Sequence, residues 1–158
     1  MQINSRRALD EIAQDVATYL FAGGTVAGLY GTTDEDLEAV YALGYNLYNQ
    51  SRWAEALRVF SFLAMQNHVE RRFHVGRGAC LLMLKRHEEA LRAFGLAHLL
   101  DVSDPAVALQ FAECLIALRR KDDARVALQT VAALAADEEA YRPIRSRAAA
   151  LSTLLQGQ

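Results

Sequence analysis

Apolar residues recur at intervals of three and four along almost all of the 158-residue chain, and no stretch alternates apolar and polar as a half-exposed strand would. The pattern predicts an all-α protein. Residues 6–22 place Leu9, Ile12, Val16, Tyr19 and Leu20 at amphipathic helical spacing, and Gly23 with Gly24 ends that helix. A short turn or helix over residues 25–30 follows. Helices are then expected at 34–49 and 53–66, at 71–84 and 87–100, at 105–118 and 121–135, and last at 138–155. Thr33 with Asp36 resembles a capping pair, and Asp104 with Pro105 supplies an N-cap and a proline at the first helical position. Pro143 falls in or near the first turn of the last helix, where it is tolerated.

The pattern also repeats. Gly44, Gly78 and Ala112 are each 34 residues apart, as are Leu47, Leu81 and Leu115, then Ala56, Ala90 and Ala124, then Phe60, Phe94 and Leu128. A helix–turn–helix unit of this length, small at one crossing and aromatic at another, has the tetratricopeptide signature. Such units bury their apolar faces only by stacking, which builds a right-handed α-solenoid with a concave surface that holds peptides. The small residues let paired helices approach closely. Phe60, Phe94 and Leu128 are expected to fill the next space, against the following repeat. Repeat one departs from the family pattern, with Val40 where Trp is common and His68 where Pro is common. The chain reads as one domain: an N-terminal helical segment over 1–33, three repeats over 34–136, and a C-terminal capping helix over 137–158.

In this repeat family positions 2, 5, 9 and 12 of each first helix line the concave side. Counted from Leu37, repeat one contributes Glu38, Tyr41, Tyr45 and Tyr48. Repeat two contributes Arg72, Val75, Ala79 and Leu82; repeat three contributes Ala106, Leu109, Glu113 and Ile116. Spacings of three and four keep each set on one helical face. Three tyrosines on one exposed stripe offer apolar bodies and polar tips to an extended peptide; packing beneath the N-terminal segment is the alternative. Trp53, at the start of a second helix, either stands beside this stripe or packs at the helix start.

Composition narrows the partners. The chain is 53% hydrophobic and 23% charged, so either the core is generous or some apolar surface awaits a partner. A formal net charge of −2 gives no bulk basic field for nucleic acid. Cys80 and Cys114 occupy equivalent positions, and neighbouring helices roughly 8–10 Å apart are too distant for a disulfide, so two buried free thiols are expected. That fits a reducing compartment. Residues 1–15 hold no continuous apolar run of the secretory-signal kind, and no run is long enough to span a membrane.

Catalytic and cofactor chemistry find no constellation. His68, His74, His87 and His98 include no pair at i, i+4, and there is no Cys-x-x-Cys. The Gly23–Gly28 stretch lacks the lysine of a phosphate loop. Glu88–Glu89 and Asp122–Asp123 open second helices, where acidic groups complement the dipole. Arg119–Arg120–Lys121 reads as a solvated turn. No enzyme, cofactor or metal is expected.

A more specific likeness lies in Gly23–Ala27 after the first helix, Leu37, Glu38, Tyr41 and Tyr48, then Val59, Phe60 and His68. It continues through Arg72, Phe73, Gly76, Gly78, Ala79 and Cys80, through Asp101 and Pro105, and through Ala112, Glu113, Cys114 and Leu115. In this ordered set the chain resembles the class II chaperones of bacterial type III secretion, which guard pore-forming translocator proteins. The resemblance implies that the concave groove holds an extended N-terminal translocator segment, often of Pro-x-Leu-x-x-Pro type. Tyr41, Tyr45 and Tyr48 would grip it, with Trp53 beside them. Arg72, Val75, Ala79, Leu82 and Leu109 would extend the wall, a small Ala79 leaving room for a side chain. It further implies a bacterial cytoplasmic holdase that self-associates through the N-terminal helix. Ile12, Val16 and Leu20 would form that homodimer contact, unless the stripe docks on its own first repeat. A tetratricopeptide adaptor reading another peptide or a C-terminal carboxylate is the competing role, though Tyr41 and Tyr45 stand where such clamps place polar or basic groups.

Overall fold

The computed structural model describes the backbone of residues 2–136 and 138–157, and side chains from residue 11 onward within that span. Every regular element there is helical: α1 (Gln2–Phe21), α2 (Val26–Tyr30), α3 (Asp34–Asn49), α4 (Trp53–Gln66), α5 (Arg71–Met83), α6 (His87–Leu100), α7 (Pro105–Ala117), α8 (Lys121–Leu134) and α9 (Arg142–Gln156). The all-α expectation holds. The larger differences lie at the ends. The α1 helix begins at Gln2, and Glu139–Tyr141 tightens into a 3-10 turn before α9, which puts Pro143 in its first turn. Leu9, from the expected N-terminal stripe, lies outside the described side chains, and Asp137, the expected start of the C-terminal segment, lies outside the described residues.

The helices start where their caps dictate. Asp36 donates its backbone N–H to Thr33 Oγ1 at 3.2 Å while Thr33 N–H donates to Asp36 Oδ2 at 3.0 Å, closing the expected capping box. Hydrogen bonds from the Thr33 hydroxyl and then its backbone N–H hold the Asp36 carboxyl below the usual carboxylate range. At α7 the Asp104 carboxylate accepts from Ala106 N–H at 2.8 Å, with Pro105 next.

The turns inside the repeats carry a signal absent from the apolar pattern. Ser51, Lys85 and Arg119, each 34 residues apart, all sit in the left-handed region with φ of 59°, 59° and 60°. The next residues, Arg52, Arg86 and Arg120, donate their N–H groups to Leu47, Leu81 and Leu115 carbonyls, each at 2.9 Å. This is a Schellman ending, built three times without its usual glycine. Each of those arginines then pairs with the acid three residues on: Glu55, Glu89 or Asp123.

The α3–α4, α5–α6 and α7–α8 pairs stack in order, each second helix packing on the first helix of the next pair, and α9 packs on α8. Two clusters of buried side chains fill the array. One joins Ala27, Leu37, Leu47, Phe60, Leu63 and Phe73; the other runs from Leu81 through Phe94, Leu115 and Leu128 to Leu155, with Leu57 touching both. The ring of Phe60 packs backward as well as forward. A Cβ on Gly44, in its own repeat, would stand 3.1 Å from the ring, and one on Gly76, in the next, 2.6 Å. Phe94 presses on Gly78 of its own repeat in the same way, at 2.8 Å. Where Pro is common in the repeat pattern, His68 instead accepts a hydrogen bond through its carbonyl from buried His74 Nε2 at 2.8 Å. Cys80 and Cys114 are buried and free, and burial pushes their thiols up to about 11 and about 12.

Candidate binding groove

Three first helices, α3, α5 and α7, meet across a recess of about 270 Å³ lined by Tyr41, Arg71, Arg72, Val75, Asp104, Ala106, Val107 and Gln110. Tyr41, Arg72, Val75 and Ala106 are positions assigned to the concave side by repeat spacing, and the fold brings them to one place. A second recess, about 300 Å³, shares Arg72 with it and is lined further by Asp34, Leu37, Glu38, Asn67, Glu70 and Phe73.

The tyrosine stripe departs from the exposed arrangement expected of it. Only Tyr45, at 54% exposure, stands fully in solvent; Tyr41 and Tyr48 are half-buried and pack against the N-terminal core cluster. The physical reason is aromatic packing. Tyr41 meets Phe60 edge-on, with centroids 5.7 Å apart and planes at 70°, and lies tilted on Phe73 at 6.0 Å. Tyr48 reaches toward α5, where burial first, and the Cys80 thiol second, hold its phenol above the ordinary tyrosine range. Tyr41 is therefore a supported ring at the recess, Tyr48 a ring packed on the core, and Tyr45 the exposed one of the three.

Charge is paired across the groove. The Arg72 guanidinium lies 5.0 Å from the Tyr41 ring centroid and bridges to Glu38 at 3.1 Å and Glu70 at 3.2 Å. Arg71 pairs with Asp104, and its Nε lies 3.9 Å from Asp101. At the far end Arg147 of α9 donates to Glu113 at 2.9 Å. Glu38–Arg72 and Glu113–Arg147 are both 34 apart, so equivalent groove positions are cross-linked between neighbouring first-type helices. Sequence reasoning named Glu113 but missed Arg147; the 34-residue spacing was the available signal. Gln110 was missed as well, because Ala42 and Gly76 stand at its equivalent positions and no motif marks it.

The remaining wall residues, Ala79, Leu82 and Leu109, are half-buried, Leu82 and Leu109 leaning on the C-terminal core cluster. Trp53 is half-buried at the start of α4. In α1, Ile12 is 59% exposed and Val16 and Leu20 are half-buried, and among the described residues the helix makes no extended packing with α3–α9. Its described anchor is the Tyr19 ring, laid so closely over Gly24 that a Cβ there would stand 2.3 Å away. Another apolar recess, about 380 Å³, opens between α6, α7 and α8 around His98, Phe111, Leu115 and Val126; nothing in the repeat pattern pointed to it. Among the described residues no helix is long and apolar enough to cross a membrane, and no group of three or more His, Cys, Asp or Glu is placed to hold a metal ion.

Comparison with known proteins places this geometry. The tetratricopeptide repeat family matches residues 81–148. Low calcium response locus protein H of Yersinia pestis is 27% identical over 134 residues, covering 85% of this chain and 80% of that one. A type III secretion system complex from Aeromonas hydrophila superimposes with a TM-score of 0.87 at 28% identity, over 91% of this chain and 96% of that one. PcrH, known from Pseudomonas aeruginosa, was solved with the chaperone-binding region of PopD; it matches at 32% identity and a TM-score of 0.75, over 79% of this chain and 94% of its own.

Proposed function

The chain belongs to the class II chaperones of type III secretion, the tetratricopeptide-repeat chaperones of translocator proteins, and we propose that it holds an extended translocator segment in the groove of α3, α5 and α7. The observation that carries this is the recess of Tyr41, Arg72 and Val75, flanked by the upstanding Tyr45, in a fold shared with a chaperone solved on its client's binding region. A proline-bearing segment suits such a site. Proline holds the backbone extended before binding and so lowers the ordering cost. Half-buried walls at Val75, Ala79, Leu82 and Leu109 offer shallow apolar seats for Pro and Leu side chains, and the Tyr45 ring supplies stacking area with a polar tip.

Holding the client in this way keeps its membrane-seeking segments apart and soluble in the bacterial cytoplasm before export, without catalysis. Residues 1–158 act as one domain. The exposed Ile12, with half-buried Val16 and Leu20 beside it on an α1 whose described residues make no extended packing with the repeats, supports a homodimer contact there. The carboxylate-clamp role finds less support: Arg71 and Arg72, the groove cations, are already engaged by Asp104, Glu38 and Glu70.

The test is a titration with a Pro-x-Leu-x-x-Pro segment from a type III secretion translocator, followed by the single tryptophan, Trp53, and by calorimetry, with a scrambled control. Saturable binding of the native segment alone is expected. Tyr45→Ala leaves helicity and melting intact, because the ring is exposed, yet weakens that segment severalfold. Equal binding of native and scrambled segments would overturn the proposal.

A further inference from the structure

The recess of α3, α5 and α7 contains one polar side chain whose bonding is incomplete. Gln110 Oε1 is shut off from water and has no hydrogen-bond partner. The charged groups around it are already satisfied by one another: Arg71 by Asp104, Arg72 by Glu38 and Glu70. Buried carboxamides in folded proteins are bonded as a rule, and a helix does not require one here, since Ala42 and Gly76 fill the equivalent positions. Leucine or methionine at this place would leave nothing unsatisfied.

Resting on the chaperone reading above, we propose that the Gln110 carboxamide is the groove's main-chain reader: it pairs with one peptide unit of the bound extended segment, Oε1 accepting the segment's N–H and Nε2 donating to its C=O. Gln110 is half-buried at the wall of the recess, and a change of side-chain rotamer turns the edge of its carboxamide, with both Oε1 and Nε2, out toward the segment. An extended segment presents such a unit with both groups free, since polyproline geometry makes no internal hydrogen bonds. Within a Pro-x-Leu-x-x-Pro motif the two prolines lack N–H, so the unit read lies between them. Tyr41 and Val75, on the same recess, would seat the flanking side chains and set the register of the read unit.

The test uses the full chain, the native client segment and a series of that segment in which single amides are replaced by esters, which removes one N–H while keeping the shape. Wild-type protein should lose about fivefold in affinity at one ester position, the worth of an ordinary hydrogen bond. Gln110→Leu should bind the all-amide segment about fivefold more weakly and become insensitive to that ester, while melting no lower than wild type, since an unsatisfied buried oxygen is gone. A merely structural glutamine predicts a lower melting temperature instead. Gln110→Met carries the same comparison should the leucine variant fail to fold. The inference is overturned if both variants bind like wild type or keep the ester sensitivity. If wild-type protein itself does not prefer the native over the scrambled segment, the chaperone reading fails first and this inference with it.

Discussion

Three helical glycines press on phenylalanine rings at graded distances, and this grading makes a quantitative prediction. An added Cβ would stand 3.1 Å from the Phe60 ring at Gly44, 2.8 Å from Phe94 at Gly78 and 2.6 Å from Phe60 at Gly76. Replacing glycine by alanine inside a helix favours folding by roughly 0.5–1 kcal/mol, whereas overpacking costs about 1–3 kcal/mol. At Gly44 the two nearly cancel; at Gly78 the clash should prevail by about 1 kcal/mol; at Gly76 by about 2 kcal/mol, because the rings cannot retreat from a core that is already full. For a chain of this size about 1 kcal/mol corresponds to roughly 2–4 °C of melting temperature, so the series is resolvable by circular dichroism. The third repeat shows what would relieve the clash: Ala112 stands opposite Leu128 in place of a phenylalanine. Phe94→Leu alone should cost about 1 kcal/mol, and Gly78→Ala combined with Phe94→Leu should cost no more than Phe94→Leu alone, a coupling of about 1 kcal/mol. Strict additivity in that cycle, or a Gly76→Ala variant more stable than wild type, would refute the claim that the rings dictate these glycines.

Three further outcomes are expected. Burial raises the Cys80 and Cys114 thiols to about 11 and about 12, so the folded chain retains protons that the unfolded chain releases above about pH 9; stability falls from there toward pH 11–12, and alanine at both sites flattens the fall in urea melts. Arg145 donates from Nη1 to the Ala135 and Glu138 carbonyls at 2.6 and 2.7 Å, tying α9 to the end of α8; Arg145→Ala should cost about 1.5–3 kcal/mol and expose the 136–141 segment to limited proteolysis. Ile12→Glu with Val16→Glu should halve the mass seen by light scattering while leaving helicity unchanged, and an unchanged mass in a folded variant removes the α1 contact from consideration.

What was legible in the sequence is what the repeat forces on every copy. Gly44, Gly78 and Ala112 announce a close helix crossing, and Phe60 with Phe94 announces the ring that fills it, because packing leaves few residues able to hold those places. That Tyr41, Arg72 and Val75 share a recess was legible for the same reason, because helical spacing and repeat length together put them there. How far each tyrosine stands in solvent was not legible. That depends on neighbours from the next repeat, Phe73 and Cys80, and on a stacking rotation no single helix encodes. The left-handed turns at Ser51, Lys85 and Arg119 escaped for the opposite reason. Their signal is the arginine that follows and its acid partner three residues on, not the glycine that usually marks such an ending.

The division of labour between these two kinds of position bears on how such a chain can change its client. Residues that set the stacking, the buried Gly78, Phe60 and Phe94 and the half-buried Gly76, are mutually constrained, so altering one requires altering its partner. Tyr45 is exposed and Gln110 breaks the repeat pattern, so neither is demanded by a neighbour. On the proposed reading of Tyr45 and Gln110, the groove can be retuned one side chain at a time without loss of fold. Exchanging Tyr45 and Gln110 should therefore move client preference at nearly constant melting temperature, whereas any exchange within the glycine–phenylalanine set should move the melting temperature first.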